Sequence, residues 1–109
     1  MIENVFTLSK GPNRTVEKVI QDENLDYIHM RFIKDEGLPI HYSNSNVYMT
    51  VLQGKLSITL NNQVTHTYPT GTLLKIPYHT QMHVRNLHEE VLTLIVIKAP
   101  APKNIKSQQ

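Results

Sequence analysis

Residues 47–60 read VYMTVLQGKLSITL and hold two strand-like stretches on either side of Gly54. In the second stretch Leu56, Ile58 and Leu60 share one face, and smaller polar side chains occupy the other. This two-residue period is typical of a half-buried β-strand. Glycine tolerates the positive φ that a tight hairpin turn requires. The stretch therefore predicts a β-hairpin with one face packed on a core.

Short strands are predicted on both sides of this hairpin. Residues 27–33 alternate between apolar and polar, and residues 72–76 form a strand that Pro77 stops. Residues 91–97 are apolar on both sides, so we expect them to be covered on both faces. Residues 15–20 fit a helix loosely, but their β-branched side chains favour a strand. Many short strands with almost no helix predict a small all-β barrel or sandwich.

The composition excludes several classes of protein. The chain has 109 residues, no cysteine and a net charge of +2. The absence of cysteine excludes disulfides, cysteine nucleophiles, iron–sulfur clusters and zinc fingers. Without a basic run interleaved with aromatic residues, a nucleic-acid partner is not expected. No segment has the pattern of a signal peptide or the length of a membrane helix, so we expect a cytoplasmic protein with no membrane partner.

The length suits one domain, which we place at residues 1–98. Residues 99–109 change character, since Pro100 and Pro102 are followed by a polar end. Proline cannot continue a core element. We predict an extended C-terminal tail over residues 99–109.

Two segments resemble the sequence motifs of the cupin family, G(X)5HXH(X)3,4E(X)6G and G(X)5PXG(X)2H(X)3N. His41 falls on the first histidine and Gly54 closes the first motif, although the spacing from Gly37 is short. Gly71, Pro77 and Asn86 fall on the glycine, proline and asparagine of the second motif. The resemblance implies a small double-stranded β-helix, a jelly-roll-like barrel.

The same resemblance implies that the family's usual metal site is lost. Ser43 replaces the second histidine, Val47 the glutamate and Met82 the last histidine, while His79 stands at the glycine after the proline. Valine offers no donor, and a thioether is too soft for iron, manganese or zinc. No metal cofactor is therefore predicted.

A rebuilt metal site is the alternative. His41 with His79 or His83 would supply it, and the resemblance would then imply isomerase, dioxygenase or decarboxylase chemistry. The strand period of two opposes this, because His83 points out of the barrel if Met82 points in.

The predicted function is binding of a small molecule inside the barrel, near its open end. The resemblance places six residues there: His41, Ser43, Val47, Met49, Met82 and, at the rim, His79. An apolar cup with one imidazole and one hydroxyl suits a small, neutral or weakly acidic, partly apolar ligand. The alternative is a barrel simply filled with core side chains, which avoids buried unpaired charge.

A homodimer is also expected. Cupins of this size resemble one another in forming dimers, and residues 91–97 need cover on both faces. The segment before Tyr27 could add a strand to the sheet of a second copy.

Overall fold

The computed structural model describes residues 1–105, and these contain nine strands and one short 3-10 helix. The strands are β1 (Thr15–Gln21), β2 (Asp26–Ile33), β3 (His41–Tyr42), β4 (Val47–Gln53), β5 (Lys55–Leu60), β6 (His66–Pro69), β7 (Leu73–Ile76), β8 (Gln81–Arg85) and β9 (Val91–Lys98). The 3-10 helix spans Pro102–Asn104. No helix within this part of the chain is long and apolar enough to cross a membrane.

The strands form two antiparallel sheets that face each other. One sheet has the order β1-β2-β9-β4-β7, and the other has the order β3-β8-β5-β6. Consecutive strands pass repeatedly from one sheet to the other, as β3 to β4 and β4 to β5 do. The two-sheet barrel predicted from the strand pattern is confirmed.

The core lies between the two sheets. Leu56 and Ile58 of β5 point inward beside Val84 of β8, and they meet Leu92 and Leu94 of β9 in one apolar cluster. All five side chains are at most 2% exposed. Burying one such side chain contributes about 1.5–3 kcal/mol, so this cluster is the main source of stability.

Strand β9 is buried on both faces, as predicted. Leu94 and Val96 face the core, while Thr93 and Ile95 face outward and are still only 6% and 8% exposed. The outward pair lies between β2 and β4, with Ile95 opposite His29 on one side and Thr50 on the other. Both faces of β9 are therefore covered within a single chain. The need to cover residues 91–97 is thus no longer an argument for a homodimer.

The motif residues of the sequence have backbone roles. Asn86 is fully buried, and its Nδ2 donates to Phe32 O at 3.0 Å and to Glu89 O at 2.9 Å. Its Oδ1 accepts from the Glu89 N–H at 3.2 Å. The side chain thereby joins the end of β2 to the loop between β8 and β9.

Residues 15–21 form strand β1, which confirms that this segment is a strand and not a helix.

The two ends of the barrel differ in chemistry. Asp26 begins β2, Val47 begins β4 and Lys98 ends β9, and both Asp26 and Val47 lie opposite Lys98 in the sheet register. We call this end the mouth. The opposite end carries the β4–β5 hairpin and the turn after β6.

The segment after β9 is packed against the mouth over its described part. Ala101 is buried and its N–H donates to Asn24 O at 3.0 Å, while Asn104 Nδ2 donates to Glu23 O at 2.7 Å. The extended tail predicted at residues 99–109 is thus wrong for residues 102–104, which form a 3-10 turn because the β1–β2 loop offers carbonyl partners. Residues 106–109 lie outside the described part, and the domain boundary at residue 98 stays a prediction.

Two glycines separate backbone strain from steric clash. Gly54 has φ +86°, and an added Cβ would lie 2.3 Å from Val91 O; Gly71 has φ +93° and open space around it. We expect Gly71→Ala to cost about 1 kcal/mol and Gly54→Ala at least about 3 kcal/mol, because the second adds a backbone clash to the strain. Urea unfolding measures both. Equal losses would contradict the packing of the β4–β5 hairpin against β9.

Candidate functional site

The interior residues predicted to line a ligand pocket are core side chains. Val47, Met49 and Met82 are at most 3% exposed and belong to the same apolar cluster as Leu94. They contact other side chains where a ligand was expected. The geometry therefore favours the filled barrel at these three positions.

Ser43 has a structural role, in which its hydroxyl takes part in two hydrogen bonds within the chain. Its Oγ donates to Pro77 O at 2.7 Å and accepts from the Thr80 N–H at 2.8 Å. Its backbone N–H donates to Thr80 O, and its carbonyl accepts from the His79 N–H. Ser43 thus fastens the loop before β4 to the turn between β7 and β8, and its hydroxyl is not free for a ligand.

The three histidines of the alternative metal site do not converge. His41 lies opposite Met82, on the inner side of its sheet, and its Nδ1 donates to Pro39 O at 2.8 Å. His83 lies opposite Thr59 on the outer side, and burial, followed by the Arg85 charge, lowers its pKa.

His79 is exposed at the rim, and its ring stacks on that of Tyr42 at 5.0 Å. Tyr42 follows His41 in β3 and points to the other side of the sheet. Within residues 1–105, no group of three histidine, aspartate or glutamate side chains is arranged to hold a metal ion. The rebuilt site from His41, His79 and His83 is therefore not formed, because strand alternation distributes its members over two faces.

A polar cavity of about 430 Å³ lies at the mouth, and sequence reasoning missed it. None of the six predicted site residues lines it. Its lining is almost entirely charged or polar: Lys18, Gln21, Asp22, Asp26, Asn44, Lys98, Pro102 and Lys103. We call this the mouth cavity.

Strand register explains why charges meet in the mouth cavity. Side chains two residues apart in a strand lie on the same face. Asp26 therefore shares the inward face of β2 with Ile28, and Lys98 shares the inward face of β9 with Val96. Lys18 of β1 lies opposite Ile28 and shares the same face. At the end of the barrel the apolar stripe is thus replaced by two lysines and one aspartate. Extending each alternation by one step would have found Asp26 and Lys98 from the sequence.

The charges in the mouth cavity are only partly compensated. Burial lowers the pKa of Lys98; Asp26 counteracts this, and the charge of Lys18 lowers that pKa further. Asp26 is 8% exposed. Within residues 1–105, the ion pairs closer than 4 Å are His29–Glu17 and Lys55–Glu89. Asp26 and Lys98 therefore line the same cavity without a direct ion pair.

Asp22 plays a different part in the same lining. Its Oδ1 accepts from the N–H groups of Leu25 at 3.0 Å and Asn24 at 2.8 Å, and these hydrogen bonds lower its pKa. The carboxylate is committed to holding the β1–β2 turn. The charge of Lys103 also lowers the pKa of Asp22, so this carboxylate offsets part of the positive charge in the cavity.

A larger groove of about 690 Å³ lies at the opposite end of the barrel. The tips of the loops line it, including Gly54, Thr70 and Glu90, and the exposed pair Lys55–Glu89 spans 3.9 Å there. Size alone would favour this groove. We favour the mouth cavity because a partly buried amine with a shifted pKa lies there, and such groups gather at functional sites.

Known proteins resemble this chain along its whole length. No protein-family model matches it. An uncharacterized protein of Methanocaldococcus jannaschii is 31% identical over 110 aligned residues, which cover 100% of this chain and 95% of the relative. The crystal structure of that archaeal protein, described as an RmlC-like cupin family protein with a double-stranded β-helix fold, has a TM-score of 0.92 with 33% identity, covering 94% of this chain and 95% of that one.

More distant structures share the fold. An RmlC-like cupin protein from Desulfovibrio desulfuricans has a TM-score of 0.71 with 23% identity, covering 93% of each chain. A cupin superfamily protein from Desulfitobacterium hafniense has a TM-score of 0.72 with 14% identity, covering 85% of this chain and 83% of that one. At these identities the likeness concerns the barrel alone.

The lowered pKa of Lys98 has a consequence for stability. Between that pKa and the ordinary value of 10.5, the unfolded chain binds more protons than the folded chain, so stability rises with pH over this interval. Below it, the desolvated ammonium lowers stability by a constant amount. We expect Lys98→Met to raise the free energy of unfolding at pH 7 and to remove the alkaline rise.

Chemical denaturation at several pH values measures this effect. Lys55→Met, at an exposed lysine, serves as the matched control and should change little. A lower free energy of unfolding for Lys98→Met at pH 7 would contradict the assignment of a net desolvation cost to Lys98.

Proposed function

The chain belongs to the RmlC-like cupin family, and we propose that it binds a small anionic molecule in the mouth cavity. One observation carries the proposal: Lys98 and Lys18 share the inward face of the sheet at the barrel's end, with Asp26 beside them and no direct ion pair to Lys98 within residues 1–105. The site that we propose for the small molecule is thus the mouth cavity and not the interior of the barrel that the sequence predicted.

The chemistry of the lining specifies the ligand class. Lys18, Lys98 and Lys103 offer ammonium donors, which suit a carboxylate or a phosphate. Asp26 accepts a hydrogen bond from a hydroxyl or amino group on the same ligand. A volume of about 430 Å³ is in the range of small-molecule sites. The ligand we propose is therefore a small acid with at least one hydrogen-bond donor, more polar than the interior cup had suggested.

Binding of this kind needs only the chain's own charges. The expectation that no metal cofactor takes part stays a prediction, and so does the cytoplasmic location. An enzymatic role through a metal held by His41, His79 and His83 is not proposed, because those side chains do not meet.

A homodimer remains part of the proposal, supported by the N-terminal segment. Residues 1–8 include Ile2, Val5 and Phe6, whose side chains are 102%, 71% and 53% exposed. The Ser9 N–H donates to Glu17 Oε1 at 2.8 Å, and Arg31 donates to Ser9 O at 3.3 Å. We call residues 1–8 the N-terminal arm, and these contacts anchor its end at the outer face of edge strand β1. From there the arm would reach a second copy of the chain and bury its apolar side chains against it.

Removing one lysine should weaken the binding of the small acid. We expect Lys98→Met to raise the Kd for a small hydroxy acid such as glycolate at least about tenfold, which is ~1.4 kcal/mol, because it deletes a partly buried charge partner. Lys18→Met should raise the Kd by less, because Lys18 is exposed. Isothermal titration calorimetry measures the affinity. Lys55→Met, whose lysine lies at the other end, should bind as the wild type does.

The interior site would give the opposite pattern. Binding that survives both lysine variants but is lost in His41→Ala would contradict the mouth cavity and restore the interior pocket. Absence of binding across a panel of small carboxylates and phosphates would also contradict the proposal.

The dimer depends on the arm in this account. Light scattering at high micromolar concentration should give twice the 12.6 kDa chain mass for the full chain. Removal of residues 1–8 should give a monomer with unchanged circular dichroism, since these residues add no core side chain. A monomeric full chain, or a truncated chain that still dimerises, would count against the arm.

A further inference from the structure

We infer that Lys98 is a nucleophilic amine that forms an imine with the carbonyl carbon of a small oxo acid held in the mouth cavity. This inference rests on the proposed anion binding at the same cavity and adds a covalent step to it. The substrate class is an aldehyde or ketone that also carries a carboxylate.

The position of Lys98 is fixed by strands on both sides. It pairs with Asp26 of β2 and with Val47 of β4, so its backbone is held by two neighbours at the end of the buried strand β9. Its side chain follows the inward alternation and lines the mouth cavity. A nucleophile on a rigid element can be presented to a bound carbonyl group with little loss of geometry.

Lys98 differs from the other lysines of the cavity in its burial. Lys18, on the edge strand, and Lys103, on the 3-10 helix, are exposed, whereas Lys98 is partly buried. Burial and the neighbouring Lys18 charge both favour the neutral amine of Lys98, and Asp26 opposes them only in part. A lysine that is desolvated or placed beside another cation is the usual form of an imine-forming lysine.

The step balances without an oxidant or a reductant. The neutral Nζ attacks the carbonyl carbon, a C–N bond forms, and the π electron pair moves to the oxygen. The two protons of the neutral Nζ pass in turn to Asp26 through a bridging water, and Asp26 returns each of them to that oxygen. The C–O bond then breaks, water leaves, and the C=N bond of the imine forms. Lys18 and Lys103 meanwhile hold the carboxylate of the oxo acid.

Reductive trapping with glyoxylate tests the inference. The intact chain is incubated with glyoxylate and cyanoborohydride at pH 7, and peptide mass spectrometry measures the rate of adduct formation at each lysine. We expect Lys98 to be labelled faster than the exposed Lys55 of the same chain, because Lys98 lines the cavity that holds the oxo acid and its lowered pKa raises the fraction of neutral amine. Labelling of Lys98 at or below the rate of Lys55 would overturn the inference.

A charge-preserving variant separates binding from chemistry. Lys98→Arg keeps the cation but has no nucleophilic amine, so it should lose the fast adduct, and a glycolate titration of the same variant measures the binding separately. Fast labelling that moves to Lys18 in this variant would overturn the assignment of the nucleophile to Lys98.

Glycolate, which has no carbonyl carbon to trap, distinguishes the two proposals. If glycolate binds but Lys98 is not labelled selectively, only the imine fails. If glycolate neither binds nor slows the labelling of Lys98 by glyoxylate, the proposed anion site fails, even though Lys98 reacts.

Discussion

The structure depends on the burial of β9 between β2 and β4. The strand pairs with β2 over eight residues, and its inward side chains Leu92, Leu94 and Val96 form the centre of the core. Because both of its edges are paired and both of its faces are covered, its register cannot shift without moving the whole apolar set to the wrong face. The same constraint carries Lys98, the last residue of the strand, to one defined place at the mouth.

The fold could be predicted from the sequence because its signals are local. The alternation of residues 55–60 and 27–33 shows the strands directly, and Gly54 marks a hairpin that needs positive φ. Pro77 and Asn86 lie in register with a family motif, and the structure gives each a backbone role: Pro77 O accepts from Ser43, and Asn86 joins β2 to a later loop. Such features are independent of any bound ligand, which is why they remain readable.

The site could not be predicted in the same way, because three of the positions to which the motifs point, Ser43, Val47 and Met82, have structural roles. Val47 and Met82 complete the core, and Ser43 fastens a turn. The charges that could serve a ligand, Asp26 and Lys98, are distant in sequence and belong to strands outside the motifs. Only the register between β2 and β9 brings them together. The docking of residues 99–105 then adds Pro102 and Lys103 as a wall. The polar side chains that could serve a ligand therefore lie at the rim of the barrel, whereas its interior is filled with apolar side chains.

The most direct test of a functional mouth over an apolar, filled interior is a crystal structure of the chain grown with glycolate. We expect ligand density between Lys18, Asp26 and Lys98, with Val47, Met49 and Met82 in the same packed positions as in the free chain. Density inside the barrel beside His41, with Met82 displaced to make room, would contradict this expectation and return the ligand to the site that the motifs imply.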